Sequence, residues 1–281
     1  TKCFFIIVLP CRREQKCPWA SVAAMDEGME EGIEEGHPAG PDAVHRRDSA
    51  QSETVDANRA WWDREADDYL AEHGRFLGDA DLVWGPEGWS EDDLHVLGPP
   101  GSLAGRTVLE FGGGGGQGAR WCAAHGARVV STDLSGGMLA TAARLSARSP
   151  GPAPLLAQAD ATRLPFADAS FDVVFSAYGA TPFVADSAGL MVELARVLRP
   201  GGRLAFSTSH PIRWAFPDVP GPEGLTATGS YFDETPYVES TQGRASYVEH
   251  HRTTGHRIAE IVDAGLVLDA LLEPEWPPDN T

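Results

Sequence analysis

From Thr107 to Ser209 the chain alternates between two kinds of pattern. "TVLEF" (107–111), "RVVSTDL" (128–134), "LLAQAD" (155–160), "FDVVFSA" (171–177) and "RLAFSTS" (203–209) are short and nearly continuous in apolar character. That is the signature of strands covered on both faces of a parallel sheet. Between them, "GARWCAAHG" (118–126), "GGMLATAARLSA" (136–147) and "GLMVELARVLR" (189–199) repeat their apolar residues at helical spacing, and Pro200, Gly201 and Gly202 stop the last of these. The alternation predicts an α/β fold: a doubly wound, mostly parallel sheet with helices on both faces.

The flanks obey other rules. "ANRAWWDREADDYLAEHG" sets Trp61, Trp62, Ala66, Tyr69 and Leu70 on one helical face, which predicts a helix that begins near Asn58 and stops at Gly74. "EDDLHVLGPPGSLAG" predicts a short helix and a Pro/Gly connection. After His210 the rhythm breaks into a Pro-, Gly- and aromatic-rich stretch, read as an insertion with an antiparallel pair near 230–238 and 244–250. A helix (253–264), a stop at Gly265 and a sixth strand (266–273) follow. The expected units are a leader (1–57), an N-terminal helical cap (58–104), a ligand-binding core (105–209), an insertion over the substrate (210–252), and a last helix and strand (253–281).

Composition changes this picture mainly at the start. Lys2 and Lys16 are the only lysines, and three of the four cysteines (Cys3, Cys11, Cys17) fall in the same stretch. Residues before Met25 therefore read as translated upstream sequence foreign to the rest. "MDEGMEEGIEEGHPAGPDAVHRRDSAQSE" is acidic, Gly-rich and poor in large apolar residues, so it is expected to be disordered. On this reading, removal of residues 1–57 leaves stability and ligand binding nearly unchanged. "FFIIVL" (4–9) is too short to cross a membrane, and the basic residues follow it instead of leading it, so it is not a secretory signal. A soluble, cytoplasmic protein is expected. The net charge of −19 argues against a nucleic-acid partner. The cysteines form no Cys-x-x-Cys pair and no zinc-like spacing, so no metal site is predicted and Cys122 reads as a buried apolar residue.

The candidate chemistry lies at the strand ends. Five consecutive glycines, Gly112 to Gly116, follow the first core strand. Gly113-x-Gly115-x-x-Gly118 fits a dinucleotide fingerprint; Glu110-x-Gly112-x-Gly114-x-Gly116 fits the first motif of S-adenosylmethionine-binding enzymes. The neighbours decide between them. A pyrophosphate disfavours a carboxylate at Glu110, whereas the amino group of an amino-acid tail is held by one, directly or through water. Asp133, at the end of the second strand, suits two ribose hydroxyls in either reading. Asp160, at the end of the third, suits an adenine amino group. Each also has a purely structural role open to it, as a cap or turn residue.

Taken together, "VLEFGGGGGQGA", "VVSTDLSGGML", "AQADATRLPFADASFDVVFSAYG" and "ELARVLRPGGRLAFS" resemble, in order, the motifs of the class I S-adenosylmethionine-dependent methyltransferases. They look closest to the type 11 group, which includes quinone-biosynthesis-like enzymes. The resemblance implies a Rossmann-like core with S-adenosyl-L-methionine as methyl donor. It implies cofactor contacts at Glu110, Gly112, Gly114, Gly116, Asp133, Leu134, Met138, Asp160, Ala161 and Ser176, with adenine packed on Met138 and Leu139. The expected function is methyl transfer to a small-molecule acceptor. An NAD(P)-dependent oxidoreductase, a non-catalytic S-adenosylmethionine binder and an RNA or protein methyltransferase are the alternatives.

Methyl transfer needs a base only if the acceptor loses a proton as it attacks. His210, after the fifth strand, and His251, where the insertion meets the last helix, are the candidates for that role, with His250 and Tyr178 nearby. Trp61, Trp62, Tyr69, Trp214, Phe216, Tyr231, Phe232 and Tyr237 are candidates to roof an apolar or aromatic acceptor. In the family a seventh strand inserts antiparallel between the fifth and sixth. Here the sixth runs into "PPDNT" and the sequence stops. The seventh strand is therefore expected to be missing, leaving an unpaired apolar edge and an aggregation-prone, truncated chain.

Overall fold

The computed structural model describes residues 4–10, 43–219 and 221–275. The core is a mixed α/β sheet. Strands β1 (Phe4–Pro10), β3 (Thr107–Phe111), β4 (Arg128–Asp133), β5 (Leu155–Gln158), β6 (Phe171–Ser176), β7 (Leu198–Ser209) and β10 (Ala270–Leu272) run in the order β10-β1-β7-β6-β3-β4-β5. β3 pairs in parallel with both β4 and β6, so the strand order reverses about β3. A crevice outside the carboxyl ends of the strands at such a reversal is where ligands bind in open α/β sheets.

Alternation along the strands feeds two apolar layers. Leu109, Phe111, Val174, Leu204 and Phe206 pack against α5 (Ser187–Val197) and α6 (Thr254–Asp263) through Leu190, Met191, Leu194 and Ile261. Val108, Val173, Phe175 and Ala205 face the other way, against Ala119, Trp121 and Cys122 of α3 (Gln117–Ala124) and against Leu82, Trp84 and Leu97, which flank the short α2 (Glu91–Leu94). Cys122 is completely buried, as its sequence context predicts.

The expectation of a missing seventh strand does not hold. β1 occupies that place, entering from the opposite end of the chain: Phe4–Pro10 pairs antiparallel with β7 from Ser209 to Arg203, and Ile6–Val8 pairs antiparallel with β10. Ile7 and Leu9 enter the layer shared with α5 and α6, while Val8 enters the opposite one; all three are buried. The run has the length of a strand and suits burial on both faces. No local turn announces partners so distant in sequence, which is why "FFIIVL" reads as an orphan. β7 is consequently covered on both sides and exposes no edge.

The leader is corrected at its other end too. Ala43–Arg46 forms a strand, β2, which joins the hairpin β8 (Tyr237–Thr241) and β9 (Arg244–Glu249) as a separate sheet in the order β2-β8-β9. Helix α1 spans Gln51–Leu77, starting before Asn58 and passing Gly74 to end at Gly78, whose φ is 68°. Its first turns are held by polar contacts that a hydrophobicity reading does not register: Arg47 bonds Glu53 through both terminal nitrogens, and Thr54 Oγ1 lies 2.9 Å from His250 Nε2. The hairpin turns at Gln242 and Gly243, both with positive φ, as a two-residue turn between right-twisted strands requires. Residues 11–42, with the Met25 boundary and most of the acidic stretch, and residues 276–281 lie outside the described residues.

Candidate active site

β3 ends at Phe111, and the glycine loop turns the chain into α3 above the carboxyl edge of the sheet. Different glycines serve different neighbours. At Gly113 an added Cβ would lie 2.5 Å from Glu110 Oε2 and 2.1 Å from Ser131 Oγ; at Gly118 it would lie 2.6 Å from Glu110 Oε1. These two make room for the Glu110 carboxylate behind the loop. Gly114 is different. Its φ is +53°, and a Cβ there would meet nothing nearer than Met138 Cε at 3.8 Å. Its Cα opens into space, in a conformation that side chains disfavour.

The carboxylates are held by short bonds. Ser131 Oγ donates to Glu110 Oε2 at 2.6 Å, and Glu110 is 3% exposed. Burial pushes its carboxyl up to about 7, against the pull of Ser131 and the Arg120 charge. Asp133 accepts the Gly114 N–H on Oδ2 and the Ser135 N–H on Oδ1, each at 2.8 Å. Burial raises its carboxyl, and these two donors oppose the shift. Asp160 Oδ1 accepts the backbone N–H of Thr162 at 2.9 Å and its hydroxyl at 2.8 Å. Both aspartates thus fill the turn roles open to them and still line a cavity.

That cavity has a volume of about 500 Å³ and runs from the glycine loop to the insertion. Its floor on one side is Glu110, Gly112, Gly114, Asp133, Leu134, Met138, Asp160 and Ala161. The structure therefore brings eight of the ten predicted cofactor residues to one wall. The other two lie elsewhere: Gly116 is the N-cap of α3, and Ser176 is buried within β6.

Helix α1 is the roof, with Gln51, Val55, Asn58, Trp62 and Tyr69 over the cavity. It is fastened on both sides. Asp63 Oδ1 accepts from Ser135 Oγ at 2.6 Å and from the Gly137 N–H at 2.9 Å, at the start of α4 (Gly136–Arg148). On the insertion side, Asn58 Nδ2 donates to the Val248 carbonyl and Asn58 Oδ1 accepts the Val248 N–H, both at 2.9 Å. Four rings then form a continuous belt along the cavity, Tyr69–Trp62–Phe183–Tyr247, with successive centroids 5.5, 5.6 and 5.6 Å apart in edge-to-face arrangements.

The predicted bases are not at this cavity. His210 Nε2 lies 2.6 Å from Glu273 Oε1, and its Nδ1 accepts the Ile212 N–H as the cap of a short helix. His251 Nε2 lies 2.8 Å from the Tyr231 carbonyl. His250 is bonded to Thr54, and burial lowers its imidazole to about 4. None of the three lines the large cavity. Of the aromatic candidates, Trp62 and Tyr69 line it, Trp61 packs beside Trp62 and Tyr247, and Phe232 is 78% exposed; Tyr178, named beside the base candidates, also lines it. The reading of the chain missed Gln51, Asn58, Asp63, Phe183, Tyr247 and Glu249. The alternation in "RASYVE" carried a signal for two of them, since it sets Tyr247 and Glu249 on the face opposite Val248.

Comparison with known proteins agrees with the geometry. Residues 109–206 match the model of a methyltransferase domain family. A demethylmenaquinone methyltransferase of Beutenbergia cavernae is 40% identical over 127 residues, which are 45% of this chain and 49% of that protein. One from Mycobacterium sp. strain KMS is 46% identical over 124 residues, 43% of this chain and 49% of that protein. The chain thus matches about half the length of these curated relatives. A solved S-adenosylmethionine-dependent methyltransferase from Mesorhizobium loti superposes with a TM-score of 0.52 at 32% identity, covering 64% of this chain and 81% of that one. The chain belongs to the S-adenosylmethionine-dependent methyltransferases, and within it residues 109–206 match the type 11 methyltransferase domain. The residues present fit the family's cofactor, S-adenosylmethionine: a glycine Cα opens into the cavity beside three carboxylates suited to an ammonium, a ribose and an amino group.

Proposed function

We propose that this protein transfers a methyl group from S-adenosylmethionine to a small aromatic acceptor of the quinol type. The observation that carries the reading is the single cavity joining the glycine loop, Asp133 and Asp160 to the aromatic belt under α1. When bound, the cofactor supplies an electrophilic methyl group on a good leaving group. The protein's part is then to bind, orient and keep water out. Gly114 gives backbone access, Glu110 faces the amino group, Asp133 takes the ribose hydroxyls, Asp160 with Ala161 takes the adenine edge, and Leu134 and Met138 pack the ring. Acceptor-side support comes from the belt and from relatives named for demethylmenaquinone. A buried Glu110 beside the loop disfavours a pyrophosphate and with it the dinucleotide alternative.

Among the described residues no helix is long and apolar enough to cross a membrane and no cluster of side chains suits a metal. In this reading the protein works in the cytoplasm on a small molecule, and its net charge of −19 disfavours a nucleic-acid partner. The test is transfer of labelled methyl from S-adenosylmethionine to reduced demethylmenaquinone, alongside calorimetry with S-adenosylhomocysteine. Cofactor binding without turnover on any quinol would favour a non-catalytic binder; absence of cofactor binding would end the reading.

A further inference from the structure

We propose that Glu249 and Tyr247 form a subsite for an aromatic hydroxyl, in which Glu249 takes the hydroxyl's hydrogen bond while the belt holds its ring. This rests on the methyltransferase reading and names the acceptor chemistry of the same cavity. The placement follows from β9. Val248 is completely buried and packs with Ala57 and Val238, and its backbone is pinned by Asn58. Pinning Val248 inward turns Tyr247 and Glu249 together to the other face, where both line the cavity.

The Tyr247 hydroxyl donates to Glu249 Oε1. No other described residue hydrogen-bonds this carboxylate, although burial pushes its carboxyl upward. A desolvated carboxylate gains most from a further donor, and an acceptor lying along the belt supplies one if it carries a hydroxyl. One cation already stands near this carboxylate. Arg213 lines the same wall, bonded to Asp218 at 2.9 Å, and its guanidinium would oppose an ammonium. Of the remaining ionisable neighbours, Tyr178 and Tyr237 stay neutral, their hydroxyls pushed up by burial, and Glu239 is engaged by Tyr237 at 2.9 Å. A neutral ring bearing a hydroxyl satisfies the carboxylate and the belt at once, and its proton is held at Glu249 when the oxygen loses it.

Binding tests this without turnover. Calorimetry with 1-naphthol, 1-methoxynaphthalene and 1-naphthylmethylammonium is run on the full chain with and without S-adenosylhomocysteine. Naphthol is expected to bind at least tenfold more tightly than its methyl ether, because only it donates to a charged acceptor. Glu249→Gln, nearly identical in shape, is expected to remove most of that preference while leaving affinity for the ether and for S-adenosylhomocysteine within twofold. An equal affinity of the wild type for naphthol and ether overturns the subsite and needs no variant. So does a preference that survives Glu249→Gln, or tightest binding of the ammonium probe. Loss of S-adenosylhomocysteine binding by the wild type would instead strike the methyltransferase reading, and the naphthol series without it still reads the subsite.

Discussion

The two ends of the cavity are built in different ways. The cofactor end draws on the stretch from Glu110 to Ala161, where each ligand-facing group sits at a strand end, in the turn after it or, for Met138, in the first turn of the helix that follows. The acceptor end draws on Gln51 to Tyr69, Tyr178 to Phe183, Thr208 to Asp218, and Tyr247 with Glu249. Its parts meet where α1 packs on β9, with Asn58 and Thr54 reaching residues 248 and 250. The first is a local structure that a sheet of this topology sets in place. The second is an assembly of distant segments, and it is the part a change in packing disturbs first.

The largest effect should come from removing what both ends stand on. Deletion of residues 1–10 takes away a strand paired on both sides and three buried aliphatic side chains, Ile7, Val8 and Leu9. At about 1.5–3 kcal/mol each, their burial sums to about 5–9 kcal/mol, against a total stability of about 5–15 kcal/mol. The deleted protein should lose its cooperative melting transition or aggregate. A melting temperature within a few degrees of the full chain would show that β1 is dispensable.

Next in size is a change confined to the cofactor end. Asp133→Ala removes the acceptor of the Gly114 and Ser135 N–H groups along with the proposed ribose ligand. S-adenosylhomocysteine binding should weaken at least tenfold, since hydrogen bonds to charged groups contribute about 1.5–3 kcal/mol each, while 1-naphthol binding stays within twofold. Calorimetry that finds both affinities unchanged would remove Asp133 from the site.

The mirror experiment is Asn58→Ala. It strips the buried Val248 N–H and carbonyl of their partners, at a cost of about 1–3 kcal/mol for each unsatisfied group. The melting temperature should fall by several degrees, and naphthol affinity should drop more than S-adenosylhomocysteine affinity. Equal losses for both ligands would show that the two ends are not separable as described.

The smallest effect is a pH dependence at the cofactor end. Burial raises the Glu110 carboxyl to about 7, so in the ligand-free protein it is protonated below that pH and ionised above. A ligand ammonium favours the ionised form, so S-adenosylhomocysteine affinity should rise from pH 6 to pH 8 by up to about tenfold, and Glu110→Gln should flatten the rise. The stability of the ligand-free protein follows the opposite sign. A carboxyl raised on folding contributes fully below pH 4.5 and its contribution is lost as pH climbs through 7, a direction Glu91 shares, being raised to about 7 by its own burial. Affinity that falls with pH over this window would contradict the placement of the amino group at Glu110.

The chain alone determined the doubly wound core and the strand-end carboxylates. The period of its apolar residues and its punctuation by glycine and proline are local properties, and a parallel sheet places successive strand ends on one edge whatever surrounds them. It also determined that a helix covers the core near Trp62 and Tyr69 and that a hairpin follows residue 210. Tertiary structure decided the rest. Whether a run such as "FFIIVL" pairs, and where, depends on an open place between β7 and β10 that no local pattern reports. The first turns of α1 are fastened by Gln51, Thr54 and Asn58, polar residues whose partners lie far along the chain. His210 and His251, well placed by sequence, were drawn to Glu273 and to the Tyr231 carbonyl, while Glu249 reached the cavity because the buried Val248 fixed which face of β9 it shares. Hydrogen-bond partners and the inward face of a strand are settled by which surfaces come together, and that is a property of the folded chain.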